Sequence, residues 1–147
     1  MKPLRSVLLA GVVLAAGATA FGASTPRIDP TVSPSKRFVV DCRSKGLVCD
    51  PPYVFELKVR AGHKVTRMTY TAAKTHCSDV RIRVIIDGSK RPLSKPLAAG
   101  ASTGTNLSTL KRGIHTIKIR AVGVVGGCNA GYTGSWGGVV RFTLSKA

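Results

Sequence analysis

Beyond residue 37 the chain alternates apolar and polar residues with a period of two, the signature of strands with one buried face. Residues 53–60 (YVFELKVR) set Tyr53, Phe55, Leu57 and Val59 against Val54, Glu56, Lys58 and Arg60. Residues 64–72 (KVTRMTYTA) set Thr66, Met68, Tyr70 and Ala72 against Val65, Arg67, Thr69 and Thr71. The clearest run is 79–87 (DVRIRVIID), with Val80, Ile82, Val84 and Ile86 inward and Arg81, Arg83 and Ile85 outward. In 113–122 (GIHTIKIRAV), His115, Ile117, Ile119 and Ala121 share one face and Thr116, Lys118 and Arg120 the other. In 138–145, Val140, Phe142 and Leu144 oppose Val139, Arg141 and Thr143. Turn chemistry separates these runs at 61–63 (AGH), 87–89 (DGS), 111–113 (KRG) and across 91–106, which carries Pro92, Pro96 and Gly100. No stretch beyond the N-terminal region keeps helical spacing for ten residues. The prediction is an all-β domain over 37–147, an antiparallel β-sandwich of seven to eight strands, with a small closed β-barrel as the alternative.

The first twenty residues follow another rule. Lys2 and Arg5 form a positive start, 7–16 (VLLAGVVLAA) are apolar, and Ala18-Thr19-Ala20 presents small residues for cleavage, which makes 1–20 a secretory signal peptide cut after Ala20 or Ala23. The apolar run over 7–20 is 14 residues long and holds two glycines, short of the roughly 20 that a membrane span needs. No transmembrane segment is expected in the mature chain, which is therefore read as secreted, extracellular or associated with the cell envelope. Residues 21–36 (FGASTPRIDPTVSPSK), rich in Pro, Ser and Thr, read as a flexible lead-in.

Export changes the meaning of the cysteines and the charge. Four cysteines in an exported chain imply two disulfides; of three pairings, Cys42 with Cys49 and Cys77 with Cys128 are expected. Zinc is the competing use, with His76 beside Cys77 the suggestive pair, but the spacings form no CxxC framework and no DxDxDG-type loop offers calcium a site. No metal or cofactor is expected. The net charge is +17, and without Lys2 and Arg5 the remaining 21 basic residues face 6 acids, or +15. Such an excess suits an anionic polysaccharide or cell-wall polymer, with nucleic acid bound only non-specifically.

Catalytic chemistry finds little material. Among six acids only Glu56 and Asp79 could partner across strands, there is no GxSxG elbow, and pairing removes the cysteines as nucleophiles. A non-enzymatic protein is expected. Two binding candidates remain. One is the glycine-rich segment 123–138 (GVVGGCNAGYTGSWGG), where Asn129, Tyr132 and Trp136 could meet a ligand; the competing role for Trp136 is to pack over the Cys77–Cys128 bridge. The other is the set of outward basic residues, Lys58, Arg60, Arg67, Arg81, Arg83, Lys118, Arg120 and Arg141. These form one basic plane if their strands share a sheet, and are divided if the strands lie in two sheets facing opposite ways.

Residues 107–122 (LSTLKRGIHTIKIRAV), together with the strand, Ala-Gly turn and strand of 55–70, resemble late strands of jelly-roll carbohydrate-binding and galactose-binding-like modules. The resemblance spans about a quarter of the chain. It implies a jelly-roll or immunoglobulin-like sandwich acting as a non-catalytic binding module. The chain departs from such modules in having a single Trp and few acids. The expected function is thus association with an anionic polymer or glycan of the cell envelope or extracellular matrix; the alternative is a structural, protein-interaction or inhibitor domain.

Overall fold

A computed structural model of the protein describes residues 25, 27–28, 38–42, 46–129, 131 and 136–146, the side chains of 38–42 and 146 excepted. The signal peptide and Tyr132 lie outside the described residues. The described residues form nine strands: β1 (Arg27–Ile28), β2 (Phe38–Cys42), β3 (Tyr53–Val59), β4 (His63–Ala72), β5 (Val80–Ile86), β6 (Ser89–Lys90), β7 (Ser102–Asn106), β8 (Gly113–Gly123) and β9 (Trp136–Lys146). They make a sandwich of two open sheets, one ordered β1-β3-β8-β5-β6 and the other β2-β9-β4-β7. Seven of the strands have five residues or more, which matches the expected number, and the sheets do not close into a barrel.

The inward faces are those the alternation selects. Phe55, Leu57 and Val59 of β3, Val80, Ile82, Val84 and Ile86 of β5, and Ile117 and Ile119 of β8 meet Val65, Met68, Tyr70, Val140 and Phe142 of the other sheet, all buried. Each such side chain contributes about 1.5–3 kcal/mol when removed from water, so the pattern of a few strands decides the sandwich. Between β5 and β6 the turn is made by Asp87 and Gly88, both left-handed (φ 47° and 83°), the conformation that suits a two-residue hairpin.

Three local readings are corrected. In β4 the alternation slips: an irregularity in the pairing with β9 between Val65 and Arg67 places Val65 in the core beside Met68, where strict alternation sends Thr66 inward. An extra residue on one strand of a pair produces such a phase change. Within 91–106, read as a turn segment, Ser102–Asn106 (STGTN) forms β7, an edge strand paired along β4. Its side chains are too small and uniformly polar to show a period, and its backbone pairing alone makes it a strand. Within the lead-in, Arg27–Ile28 pair in parallel with β3, Ile28 is buried, and Arg27 forms an ion pair with Glu56 at 2.8 Å, so this part is docked rather than flexible.

Cys77 and Cys128 are joined, as expected. They tie the β4–β5 connection to the β8–β9 connection, both of which cross between the sheets. Cys49 is also disulfide-bonded; its expected pairing falls on Cys42, whose side chain lies outside the described ones.

Candidate functional site

The two expected binding regions come out very differently. Two of the glycine-rich segment's candidates, Asn129 and Trp136, turn inward. Trp136 is buried, and its ring lies against the backbone of Gly123, where any Cβ would overlap it. The His76 ring meets it edge-on at 5.4 Å between centroids. Asn129 is buried as well, donating to the Val124 carbonyl at 2.9 Å and accepting from the Gly131 amide at 3.0 Å. His76 accepts a hydrogen bond from the Gly137 amide at 2.8 Å, and burial holds its pKa below the ordinary 6.5. The Tyr70 hydroxyl donates to the Gly137 carbonyl at 2.9 Å, its pKa pushed by burial to about 12. Gly137 is thereby held at both its N–H and its C=O. Of the residues considered for zinc, Cys77 is taken up in the disulfide and His76 accepts from Gly137 through Nε2.

The basic residues divide unequally between the sheets. Alternation turns Lys58 of β3, Lys118 and Arg120 of β8, and Arg81 and Arg83 of β5 onto the outer face of the five-stranded sheet, because their neighbours Phe55, Leu57, Ile117, Ile119, Ile82 and Val84 face the core. Register then decides which of these cations meet. Arg83 stands directly opposite Arg120, Arg81 opposite Val122, and Lys118 between Val54 of β3 and Ile85 of β5. Arg67 and Arg141 occupy the outer face of the other sheet, and Arg60 lies in the β3–β4 turn.

Directly opposed like charges destabilise a strand pair, and little relieves this pair. Arg120 donates to Asp50 at 3.1 Å, but that carboxylate is 72% exposed, and ion pairs of this kind contribute about 0–1 kcal/mol. Arg83 has no hydrogen-bond or ion-pair partner among the described residues, and the Nε atoms of both arginines are shielded from solvent and unpaired. Arg81 is anchored, its Nε donating to the Ser94 carbonyl at 2.9 Å. Asp50 was not singled out by sequence; only the pairing of distant strands brings it to Arg120.

Near the β3–β4 turn, Lys58, Arg60 and Arg112 line a hollow of about 460 Å³ beside Ile114, which is 54% exposed. Arg112 gave no sequence signal beyond its turn. The acids nearby are engaged: Glu56 with Arg27, and Asp87 with His115 at 2.7 Å and with the Thr116 amide at 2.8 Å. His115 makes its second contact with the Lys111 carbonyl at 2.9 Å. Both of its partners only accept, so the ring satisfies them by carrying two protons. Burial pulls its pKa down, but the hydrogen bond to Asp87, the Lys111 carbonyl and the Asp87 charge outweigh burial and raise it above 6.5. For Asp87, burial pulls upward, and the His115 hydrogen bond, the Thr116 amide and the imidazolium charge bring it below 3.8.

Glu56 and Asp79 do not come together. Glu56 lies opposite Thr116 while Val80, next to Asp79, lies opposite Gly123, a separation along β8 of about 24 Å at the strand rise of ~3.4 Å per residue. Paired glycosidase carboxylates stand within about 10 Å.

No protein family and no curated protein matches the chain. Among solved structures it is similar to an active-site mutant of a family two carbohydrate esterase from Clostridium thermocellum, with 13% identity and a TM-score of 0.35 over 77% of this chain. The match spans 31% of that esterase chain.

Proposed function

We propose that the protein is a secreted, non-enzymatic binding module that associates with an anionic polymer or glycan of the cell envelope or extracellular matrix through the outer face of its five-stranded sheet. The observation that carries this reading is the opposition of Arg83 and Arg120, with Arg81 and Lys118 on the same face and Asp50 as the one carboxylate that contacts the pair among the described residues. A row of cations spaced by the strand repeat suits a polymer with regularly spaced charges. The signal-like residues 1–20 support delivery to where such polymers occur.

The test is retention of the mature chain on immobilised sulfated, carboxylated and phosphodiester polymers in a salt series. Each neutralised charge of a dense polyanion adds about 0.7–0.9 to the slope of log affinity against log salt, so engagement of the face gives a slope of three or more. No retention at low salt overturns the reading and favours a structural or protein-interaction domain.

A further inference from the structure

Among the described residues, the outer face of the five-stranded sheet holds a place where hydrogen-bonding and charge requirements are unmet. Arg83 and Arg120 stand opposite one another on β5 and β8, at Cβ atoms about 4.5–5.5 Å apart in such a pair. Both Nε–H groups are shielded and unpaired, and a shielded donor without an acceptor is unfavourable. Asp50 reaches only Arg120, through Nη2. Arg81, two residues along β5, is fixed to Ser94, and Lys118 flanks the pair diagonally. We infer that Arg83 and Arg120 form a two-arginine clamp for one tetrahedral oxyanion group, a phosphate or sulfate ester of the bound polymer.

The chemistry follows from geometry. One guanidinium fork saturates the two oxygens of a carboxylate, so a carboxylate seated on Arg120 leaves Arg83 unmatched; Asp50, which meets Arg120 through Nη2 alone, leaves it so already. Phosphate and sulfate carry oxygens directed to opposite sides, so a single group accepts from both forks at once. Presenting each Nε–H requires only rotation about the outer side-chain torsions, which have several staggered wells. Asp50 then acts as an internal competitor that the ligand displaces from Arg120. The clamp rests on the polyanion-binding reading for its biological ligand, but small ions test it separately.

The mature chain, labelled at arginine nitrogen, is titrated with inorganic sulfate, inorganic phosphate and acetate at constant ionic strength, and the Nε–Hε signals are followed. Assignment comes from Arg83→Gln and Arg120→Gln. The clamp requires the Arg83 and Arg120 signals to move together on one saturating curve with sulfate or phosphate, whichever binds more tightly identifying the ester, while Arg67 and Arg141 do not saturate. Acetate should bind at least threefold more weakly. Arg83→Lys keeps the charge and loses the fork; it should weaken the tighter ion about tenfold. Asp50→Asn should tighten the ion several-fold, against little change for the same charge step in Glu56→Gln. A linear drift of all arginine signals, acetate binding as tightly as the other ions, an unchanged Arg83→Lys or equal effects of Asp50→Asn and Glu56→Gln would each overturn the clamp. Polymer retention persisting in that event leaves the polyanion reading standing. Saturating ion binding without polymer retention removes that reading and leaves the clamp.

Discussion

The outer faces of the two sheets draw on the same basic, threonine-containing sequence and the same alternation, yet they present different surfaces. On the four-stranded sheet Arg67 lies between Asn106 and Thr143, and Arg141 faces Thr69. The Arg67 guanidinium lies over Gly104, where a Cβ would overlap it, and Thr71 and Ser102 share a hydrogen bond at 2.7 Å. Each cation there has small polar neighbours. On the five-stranded sheet Arg83 faces Arg120. Net charge is thus a poor guide to where an anion binds; pairing register concentrates or disperses the same charges.

The largest expected effect severs what holds the two faces in one body. Replacing both Cys77 and Cys128 by Ser opens a closure with a sequence separation of 51, for which chain entropy gives a loss of about 4 kcal/mol. Urea unfolding of the variant should show that loss; a change below about 1 kcal/mol would mean that the crossovers are held by packing alone. Next comes Gly138→Ala on β9. A Cβ there would meet the Tyr70 ring and the Thr71 carbonyl, and overpacking of this kind costs about 1–3 kcal/mol. Because the site belongs to the four-stranded sheet, the variant should lose stability while keeping polyanion retention at temperatures where it remains folded.

The third test contrasts the faces directly. Arg83→Gln with Arg120→Gln should lower the salt slope of polymer binding by about 1.4–1.8, following two lost phosphate contacts. Arg67→Gln with Arg141→Gln removes the same charge and should lower it by less than half as much. Equal effects would dissolve the distinction.

The smallest expected effect concerns the contact between Asp87 and His115 at the edge of the basic face. The carboxyl is held below 3.8, so its contribution is present above that value and is lost as pH falls through the lowered pKa. The imidazole is raised above 6.5, so its contribution is present below that value and is lost as pH rises through the raised pKa. The contact therefore stabilises most between these two ordinary values. His115→Gln should lower Tm by a few degrees there, corresponding to about 0.5–1 kcal/mol, and by less at pH 9. A Tm difference independent of pH would show that the ring acts through packing.

The sequence revealed the long strands because one face of each meets the core: Phe55, Leu57, Ile82, Val84, Ile117 and Ile119 are read correctly from period two alone. It did not reveal β7, whose Ser, Thr and Gly side chains have no preferred face, nor the slip after Val65, which arises from pairing with a strand some 75 residues away. Which arginines point outward is also a local property. That Arg83 meets Arg120, and that Asp50 reaches the same spot, depends on pairings between distant segments. The fate of Trp136 was open in the same way, and the close approach of its ring to Gly123 is a tertiary fact.

The position of β9 has a consequence for how the chain reaches its folded state. This strand lies between β2 and β4 in the interior of its sheet, so that sheet has no continuous ladder until residues 136–146 have arrived. Made from its N-terminus, the chain presents β2 and β4 before the strand that bridges them. The four-stranded sheet is therefore completed only once β9 can pair along both neighbours, as where His63 meets Lys146. Strand order thus makes residues 136–146 the closing element of the four-stranded sheet.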